Sequence, residues 1–242
     1  MNTTTGSFQA VLQKTHSRVE VKFATIRKIC PIGEGVSSTV WRYEDIVSDT
    51  FLALKQIPMN SDSSCVSMVA KELVLCFGIN HPAVTTCHSV FFTSNNKSNL
   101  HFMDNSFHLA MELMDGGSML DVLTMCKVVD RNAHFMPTDV LACIAESVLS
   151  VLDLLHDEIH IIHRDVKPAN ILVSTSGQAK LADLGIAWDL ACTTSHDNHT
   201  KEWVGTTLYM SLERLRGDRY SFSSDIWSLG LVLVDVASEN YT

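Results

Sequence analysis

The chain has little of what marks a secreted, membrane-spanning, metal-binding or nucleic-acid-binding protein. Its seven cysteines, at positions 30, 65, 76, 87, 126, 143 and 192, include no Cys-x-x-Cys pair. An odd, scattered set excludes a disulfide framework and reads as reduced thiols, mostly small buried groups, in the cytoplasm or nucleus. The eleven histidines are equally dispersed, with no metal-ligand spacing. Positive charge is not in excess: the net charge is −9, which argues against bulk nucleic-acid binding and against a polybasic membrane anchor. The longest apolar run, near Leu229 to Ala237, is short and holds Asp235, so it is expected as a buried helix and not a membrane span. The first residues are polar and lack a secretory core, so the sequons at Asn2, Asn96, Asn198 and Asn240 carry no weight. No internal repeat is apparent.

What remains is an ordinary globular balance. The 242 residues are 46% hydrophobic and 19% charged, enough for one large domain or two lobes. A nucleotide ligand stays open, because local amides and one or two lysines can dominate a small site.

Residues 1–24 show no firm periodicity and read as a loosely ordered extension. Short β-branched runs follow at Ile26–Ile32, Thr39–Tyr43 and Thr50–Ile57, broken by Gly33/Gly35 and the polar turn Glu44–Asp49. Ser61 to Ser64 offers helix caps. Val66, Val69, Ala70, Leu73 and Phe77 recur at helical spacing, and Gly78 stops the helix. Val84–Phe92 and Phe107–Leu113 read as paired strands. Beyond Asp115-Gly116-Gly117-Ser118 the pattern turns helical. After Pro137-Thr138-Asp139, the residues Val140, Leu141, Ile144, Val148, Leu152 and Leu155 mark one buried face. Ile171–Val173 and Gln178–Ala182 are short strands around Ser176-Gly177, and residues 186–208 read as a polar, mobile loop. The expected fold is α+β: a β-rich half with one main helix, a mainly helical half, and a cleft between them.

The chemistry is concentrated in His163-Arg164-Asp165-Val166-Lys167-Pro168-Ala169-Asn170, followed across a short hairpin by Asp183-Leu184-Gly185. Phosphoryl transfer to an alcohol needs such a set. One carboxylate accepts the hydroxyl proton, a cation steadies the transferring group, and an Asn and a second Asp hold magnesium. Either tripeptide alone would be an ordinary loop; the pair at this spacing is not. Upstream, Ile32-Gly33-Glu34-Gly35-Val36-Ser37-Ser38-Thr39-Val40 lies between two expected strands, where glycines let backbone amides approach phosphates. Ser38 follows Gly35 by three residues, and a residue with a side chain there stiffens the loop. Lys55 sits on the next strand, and Glu72 comes seventeen residues later on the edge of the helix face. Taken singly these two are solvated charges; together they can pair and hold Lys55 for the α- and β-phosphates. Met111-Glu112-Leu113-Met114 ends the last strand and reads either as a hinge beside a purine or as core methionines.

These motifs resemble a eukaryotic protein kinase from about Thr25 onward. Lys167, two residues after Asp165, is similar to the Ser/Thr-type catalytic loop. Met114-Asp115-Gly116-Gly117-Ser118, Val204 to Ser211 and Glu213-Arg214-Leu215-Arg216-Gly217 resemble the MAP kinase kinase family. Ser224-Asp225-Ile226-Trp227-Ser228-Leu229-Gly230 resembles the buried helix of the large lobe. The Ser-Ser of the glycine loop is similar to plant and protist members. The resemblance implies a bilobal fold with residues 25–113 as the small lobe and 114–242 as the large one. It also implies a dual-specificity enzyme that uses ATP and Mg²⁺ on Thr and Tyr in a MAP kinase activation loop, under an upstream MAP kinase kinase kinase.

Residue by residue, the resemblance makes Asp165 the base and Lys167 the γ-phosphate contact, supported by Lys55 and Glu72. Asn170 and Asp183 become the metal ligands. The nucleotide contacts become Gly33, Glu34, Gly35, Val40, Ala53, Lys55, Met111, Glu112, Met114 and Leu172. Thr206 shapes the acceptor site. Thr194 and Thr200 match an activation-loop spacing, a pattern that a Thr/Ser-rich loop also produces by chance. Glu202 stands nearer the usual site and offers a fixed charge; Arg164 is the partner for either.

Two departures from the family follow. Ser211-Leu212-Glu213 lacks the stiffening proline, and the sequence stops at Thr242, before the helices that complete such a domain. The expectation is a C-terminally truncated large lobe, with apolar surface bare, Glu213 unpaired, and poor solubility and low activity. The alternatives are a kinase-like scaffold for pathway partners, or a Ser/Thr kinase of a neighbouring family.

Overall fold

The computed structural model describes residues 23–35, 38–58, 63–93, 105–129, 136–184, 188–189 and 207–237. The chain divides into two compact units, Met1–Asn80 with Thr85–Met114, and His81–Val84 with Asp115–Thr242.

After a 3₁₀ turn at Phe23–Thr25, the first unit holds β1 (Ile26–Glu34), β2 (Thr39–Asp45), β3 (Thr50–Pro58), helix α1 (Ser63–Gly78), β4 (Cys87–Thr93) and β5 (Ser106–Glu112). The strands form one antiparallel sheet in the order β1-β2-β3-β5-β4. The sequence reading ends the first strand at Ile32; β1 instead runs on through Gly33 and Glu34. It is an edge strand with register shifts around Lys28/Cys30 and Pro31/Gly33, where a proline is tolerated. The fourth strand begins at Cys87, not Val84, whose backbone makes an isolated bridge to Leu181 in the second unit.

The central strand β3 is buried on both faces. Leu52 and Leu54 join Tyr43 and Ala110 on one side. Ile57 joins Cys87 and Leu109 on the other, against Leu73, Cys76 and Phe77 of α1. Two apolar layers on one strand fix its register, because a slip of one residue would exchange the faces.

The second unit holds α2 (Met119–Val129), α3 (Thr138–Asp153), β6 (Ile161–Ile162), β7 (Ile171–Val173), β8 (Ala179–Leu181), β9 (Trp188–Asp189), α4 (Leu212–Arg216) and α5 (Ser223–Ala237). Helix α3 continues into a π turn at Leu154–Glu158, closed by Ile159 N–H donating to Leu154 O at 3.1 Å. Its buried stripe is Ile144, Val148, Val151, Leu152 and Leu155. Val140, expected on that stripe, is exposed: it lies in the first turn, ahead of the packed stretch, and Val151 takes the place beside Leu152. Part of the segment expected as a loop is ordered, since β9 pairs with β6 and Thr207–Tyr209 form a 3₁₀ turn.

Helix α5 is buried on one face only, through Ser224, Asp225, Ser228, Leu229, Val232 and Val236. Within the apolar run expected as a buried helix, Leu229, Val232 and Val236 are buried and Val234 is exposed, and Ile226 and Trp227 ahead of it are exposed too. Among the described residues no helix is long and apolar enough to cross a membrane.

Candidate active site

In the first unit the sheet register assembles one set of expected site residues. Gly33 pairs with Val40, Val40 with Lys55, and Ala53 with Met111. Directly opposed residues project to the same face. Lys55 and Ala53 alternate with Leu52 and Leu54 and so share the α1 face with Ile57. Lys55 Nζ there meets Glu72 Oε1 at 2.6 Å, and the two residues are 8% and 7% exposed. Burial removes the solvated alternative: both side chains are about nine-tenths withdrawn from water. Gly35 N–H donates to Ser38 O at 2.8 Å, and a Cβ on Gly35 would sit 3.2 Å from Ser38 Oγ. Ser38 therefore closes this loop in place of a third glycine, while Glu34 is exposed at its rim.

The Met111–Met114 segment shows the core character considered for it. Met111 packs against the Ile57–Cys87–Leu109 cluster, and Met114 is buried. Glu112 is tied to Thr86 twice, by its N–H to Thr86 O at 3.0 Å and by its Oε1 accepting Thr86 N–H at 2.5 Å.

In the second unit the segment from His163 to Asn170 folds back on its own acid. Lys167 Nζ lies 2.6 Å from Asp165 Oδ2. Asn170 Nδ2 donates to the same oxygen at 2.9 Å and to Asp165 O at 2.8 Å. Pro168–Asn170 form a 3₁₀ turn, with Asn170 N–H donating to Lys167 O at 3.0 Å, and this short turn is what brings position 170 back to 165. The second oxygen of Asp165, Oδ1, takes no hydrogen bond among the described residues.

The β7–β8 hairpin then sets Asp183 beside Asn170. Ile171 pairs with Leu181, and Ala182 N–H donates to Asn170 O at 2.8 Å. Asp183 has φ 62°, and Leu184 behind it is buried. Leu172 is half-buried, bridging Ser118. Thr194, Thr200, Glu202, Thr206 and Gly185 lie outside the described residues.

One residue organises this loop that sequence reasoning did not single out. Asp225 is fully buried at the start of α5. Its Oδ2 accepts the N–H of His163 at 2.7 Å and its Oδ1 that of Arg164 at 2.8 Å. Oδ2 also meets His156 Nε2 at 2.8 Å, and the His156 ring stacks on Phe222 with centroids 4.6 Å apart. These bonds hold Arg164 at φ 73°, a left-handed conformation that costs a non-glycine residue about 1–3 kcal/mol. The signal available in sequence was an aspartate within an otherwise apolar helix: a buried carboxylate needs donors.

The oxygen donors fit a hard cation. Asn170 and Asp183 offer an amide and a carboxylate oxygen, and among the described residues no group of three acidic, His or Cys side chains could cage a metal. Magnesium takes one or two protein ligands and completes its shell with phosphate oxygens and water, so a two-residue site suits a metal that arrives with a nucleotide.

Residues 26–241 match the protein kinase domain family. The chain is 35% identical over 222 residues to mitogen-activated protein kinase kinase 1 of Arabidopsis thaliana, covering 92% of this chain and 57% of that one. It is 37% identical over 207 residues to mitogen-activated protein kinase kinase SIPKK of Nicotiana tabacum, covering 86% and 52%. It is 35% identical over 206 residues to dual specificity mitogen-activated protein kinase kinase 1 of Dictyostelium discoideum, covering 85% and 28%. The chain thus spans about half, or less, of the length of these relatives. The family match runs through the residues of both units, and the chain belongs to the protein kinase domain family.

Proposed function

We propose that this chain is an ATP-dependent protein kinase of the MAP kinase kinase type, transferring the γ-phosphoryl group of ATP to Thr and Tyr hydroxyls in the activation loop of a MAP kinase. The observation that carries the reading is the state of Asp165. One carboxylate oxygen is held by Lys167 and Asn170, and the other has no bond among the described residues. A carboxylate fixed at one oxygen and open at the other can accept the proton of an attacking hydroxyl as the new P–O bond forms and ADP departs.

The other residues follow from chemistry and family. Lys167 offsets charge on the transferring group. Lys55, braced by Glu72, takes the α- and β-phosphates, and Gly33, Glu34 and Gly35 bring backbone amides over them. Val40, Ala53, Met111, Glu112, Met114 and Leu172 contact the purine and ribose. Asn170 and Asp183 hold Mg²⁺, which draws negative charge from the phosphates when bound. In this reading residues 25–113 are the nucleotide lobe and 114–242 the substrate lobe, behind an extension over 1–24. Thr194 and Thr200 receive phosphate from an upstream MAP kinase kinase kinase, Arg164 receives the resulting charge, and Thr206 shapes the acceptor site. The partners are these two kinases in the cytoplasm or nucleus, with neither nucleic acid nor membrane.

The test is transfer of labelled phosphate from ATP to a panel of inactive MAP kinases. Incorporation into both Thr and Tyr of one loop, lost by a factor of about 10³ or more in Asp165→Asn, is expected. Binding of a MAP kinase without ATP turnover would replace the enzyme with a scaffold, and transfer to Ser/Thr alone would place the chain in a neighbouring kinase family.

A further inference from the structure

We propose that Arg214 is a positioning residue of the phosphotransfer site: its guanidinium holds the carbonyl of the peptide between Arg164 and Asp165 and thereby sets the direction of the Asp165 carboxylate. The inference rests on the reading of Asp165 given above.

The argument begins with the left-handed backbone at Arg164. A residue there is kept in place by its surroundings, not by its own preference. On its amino-terminal side Asp225 accepts the N–H groups of His163 and Arg164, at 2.7 and 2.8 Å. Those bonds fix the chain up to the Arg164 nitrogen. The next peptide plane can still turn about the Cα–C bond of Arg164, and that plane carries Asp165. Contacts reach it from both sides. Asp165 N–H donates to His163 Nδ1 at 3.3 Å, long for such a bond. Arg214 Nη1 donates to Arg164 O at 2.7 Å, a short, charge-assisted bond to the same plane. The N–H side and the carbonyl side of the bent segment are thus held from different elements, α5 and α4.

Arg214 is itself braced. It sits in α4, which Gly217 ends in a left-handed conformation at φ 73°, its N–H donating to Arg214 O at 3.1 Å. The Tyr220 ring lies 5.5 Å from the guanidinium carbon of Arg214 and 5.2 Å from that of Arg164, so both cations share one aromatic plate. Burial, and then the charge of Arg164, lower the proton affinity of Arg214, while Tyr220, Asp225 and Asp165 act the other way. Two cations gathered on one ring are poor design for stability alone, and such local conflicts are expected where geometry serves function. A planar guanidinium can lie on the ring and still aim one N–H at the carbonyl; a lysine can donate but cannot be oriented in this way.

The test compares Arg214→Met, which keeps the apolar stem, with Arg214→Lys, which keeps a donor. Steady-state kinetics with a MAP kinase substrate are joined to amide hydrogen exchange over residues 160–170 and 223–237. In Arg214→Met, kcat is expected to fall about 10- to 100-fold with KM for ATP within about twofold, the effect of a displaced but intact base. Exchange at 164 and 165 is expected to quicken while α5 stays as in the parent, and Arg214→Lys recovers part of kcat. Unchanged kcat in Arg214→Met overturns the proposal. So does a loss of kcat matched by rising KM and by faster exchange throughout α5, which would make Arg214 a structural brace only. Should the parent chain transfer no phosphate, the functional reading fails by itself, and the exchange at 164 and 165 decides whether Arg214 holds this peptide.

Discussion

Replacing Glu72 by alanine takes from a buried ammonium the carboxylate that lies 2.6 Å away. At the observed 2.6 Å and an effective dielectric of ~20, the attraction between Lys55 and Glu72 is about 6 kcal/mol before desolvation. Withdrawing each ion from water costs several kcal/mol, so the intact pair contributes little net stability. The single variant is different, because the lysine stays buried, 8% exposed, while the Glu72 carboxylate is gone. Removing one partner of a buried pair costs about 3–5 kcal/mol. The upper end is capped, since a lysine of ordinary basicity can release its proton at pH 7 for about 5 kcal/mol. Glu72→Ala is therefore expected to lose about 3–5 kcal/mol in urea unfolding at pH 7. Combining Lys55→Met with Glu72→Leu should return most of that loss, because apolar side chains of similar volume fit between Ile57, Leu109 and α1. Additive costs, with a coupling under about 1 kcal/mol in the double-mutant cycle, would show a solvent-screened contact and refute the reasoning.

Two further outcomes follow from the first and second units respectively. His108, buried on β5 with Thr93 Oγ1 at 3.1 Å from Nε2, has its pKa lowered to about 4, first by burial and then by Lys28. Between about 4 and the unfolded value near 6.5, the unfolded chain binds a proton that the folded chain does not. Stability thus rises with pH through this window and is flat above it, with a loss of about 2 kcal/mol expected from pH 8 to pH 5. Urea unfolding at both pH values should show a smaller fall in His108→Gln, and an equal fall would remove His108 as the cause. In the second unit a Cβ on Gly116 would sit 2.8 Å from the Val173 carbonyl oxygen, the atom that accepts Gly116 N–H at 3.0 Å. Gly116→Ala should therefore cost about 1–3 kcal/mol and lower the thermal midpoint by a few degrees, and an unchanged midpoint would contradict the contact.

Much of the local structure was legible because it is set by local chemistry. The apolar run Leu52–Leu54 and its neighbours read as a strand and form β3, and the helical spacing up to Gly78 reads as α1. The edges were less legible. Val140 fits the helical period yet is exposed, because periodicity marks a face and cannot say where a neighbour begins to cover it. Trp188–Asp189 read as loop, since a two-residue strand has no pattern of its own and exists only because Ile161–Ile162 accepts it. Gly116 was visible as part of a family motif; the reason for a glycine, the approach of Val173, needed the second strand.

The sequence by itself determined the chemical inventory: an Asp, Lys and Asn close enough along the chain for one 3₁₀ turn to gather them, and a Lys and Glu on consecutive elements. These are consequences of short-range spacing and side-chain type. The tertiary structure alone decided which charges are buried and how the active backbone is bent. The left-handed angle at Arg164 is imposed by Asp225, sixty-one residues away, and its carbonyl is met by Arg214, fifty residues away. Hydrogen bonds over such separations leave no periodicity in the chain, because only folding brings their two ends together.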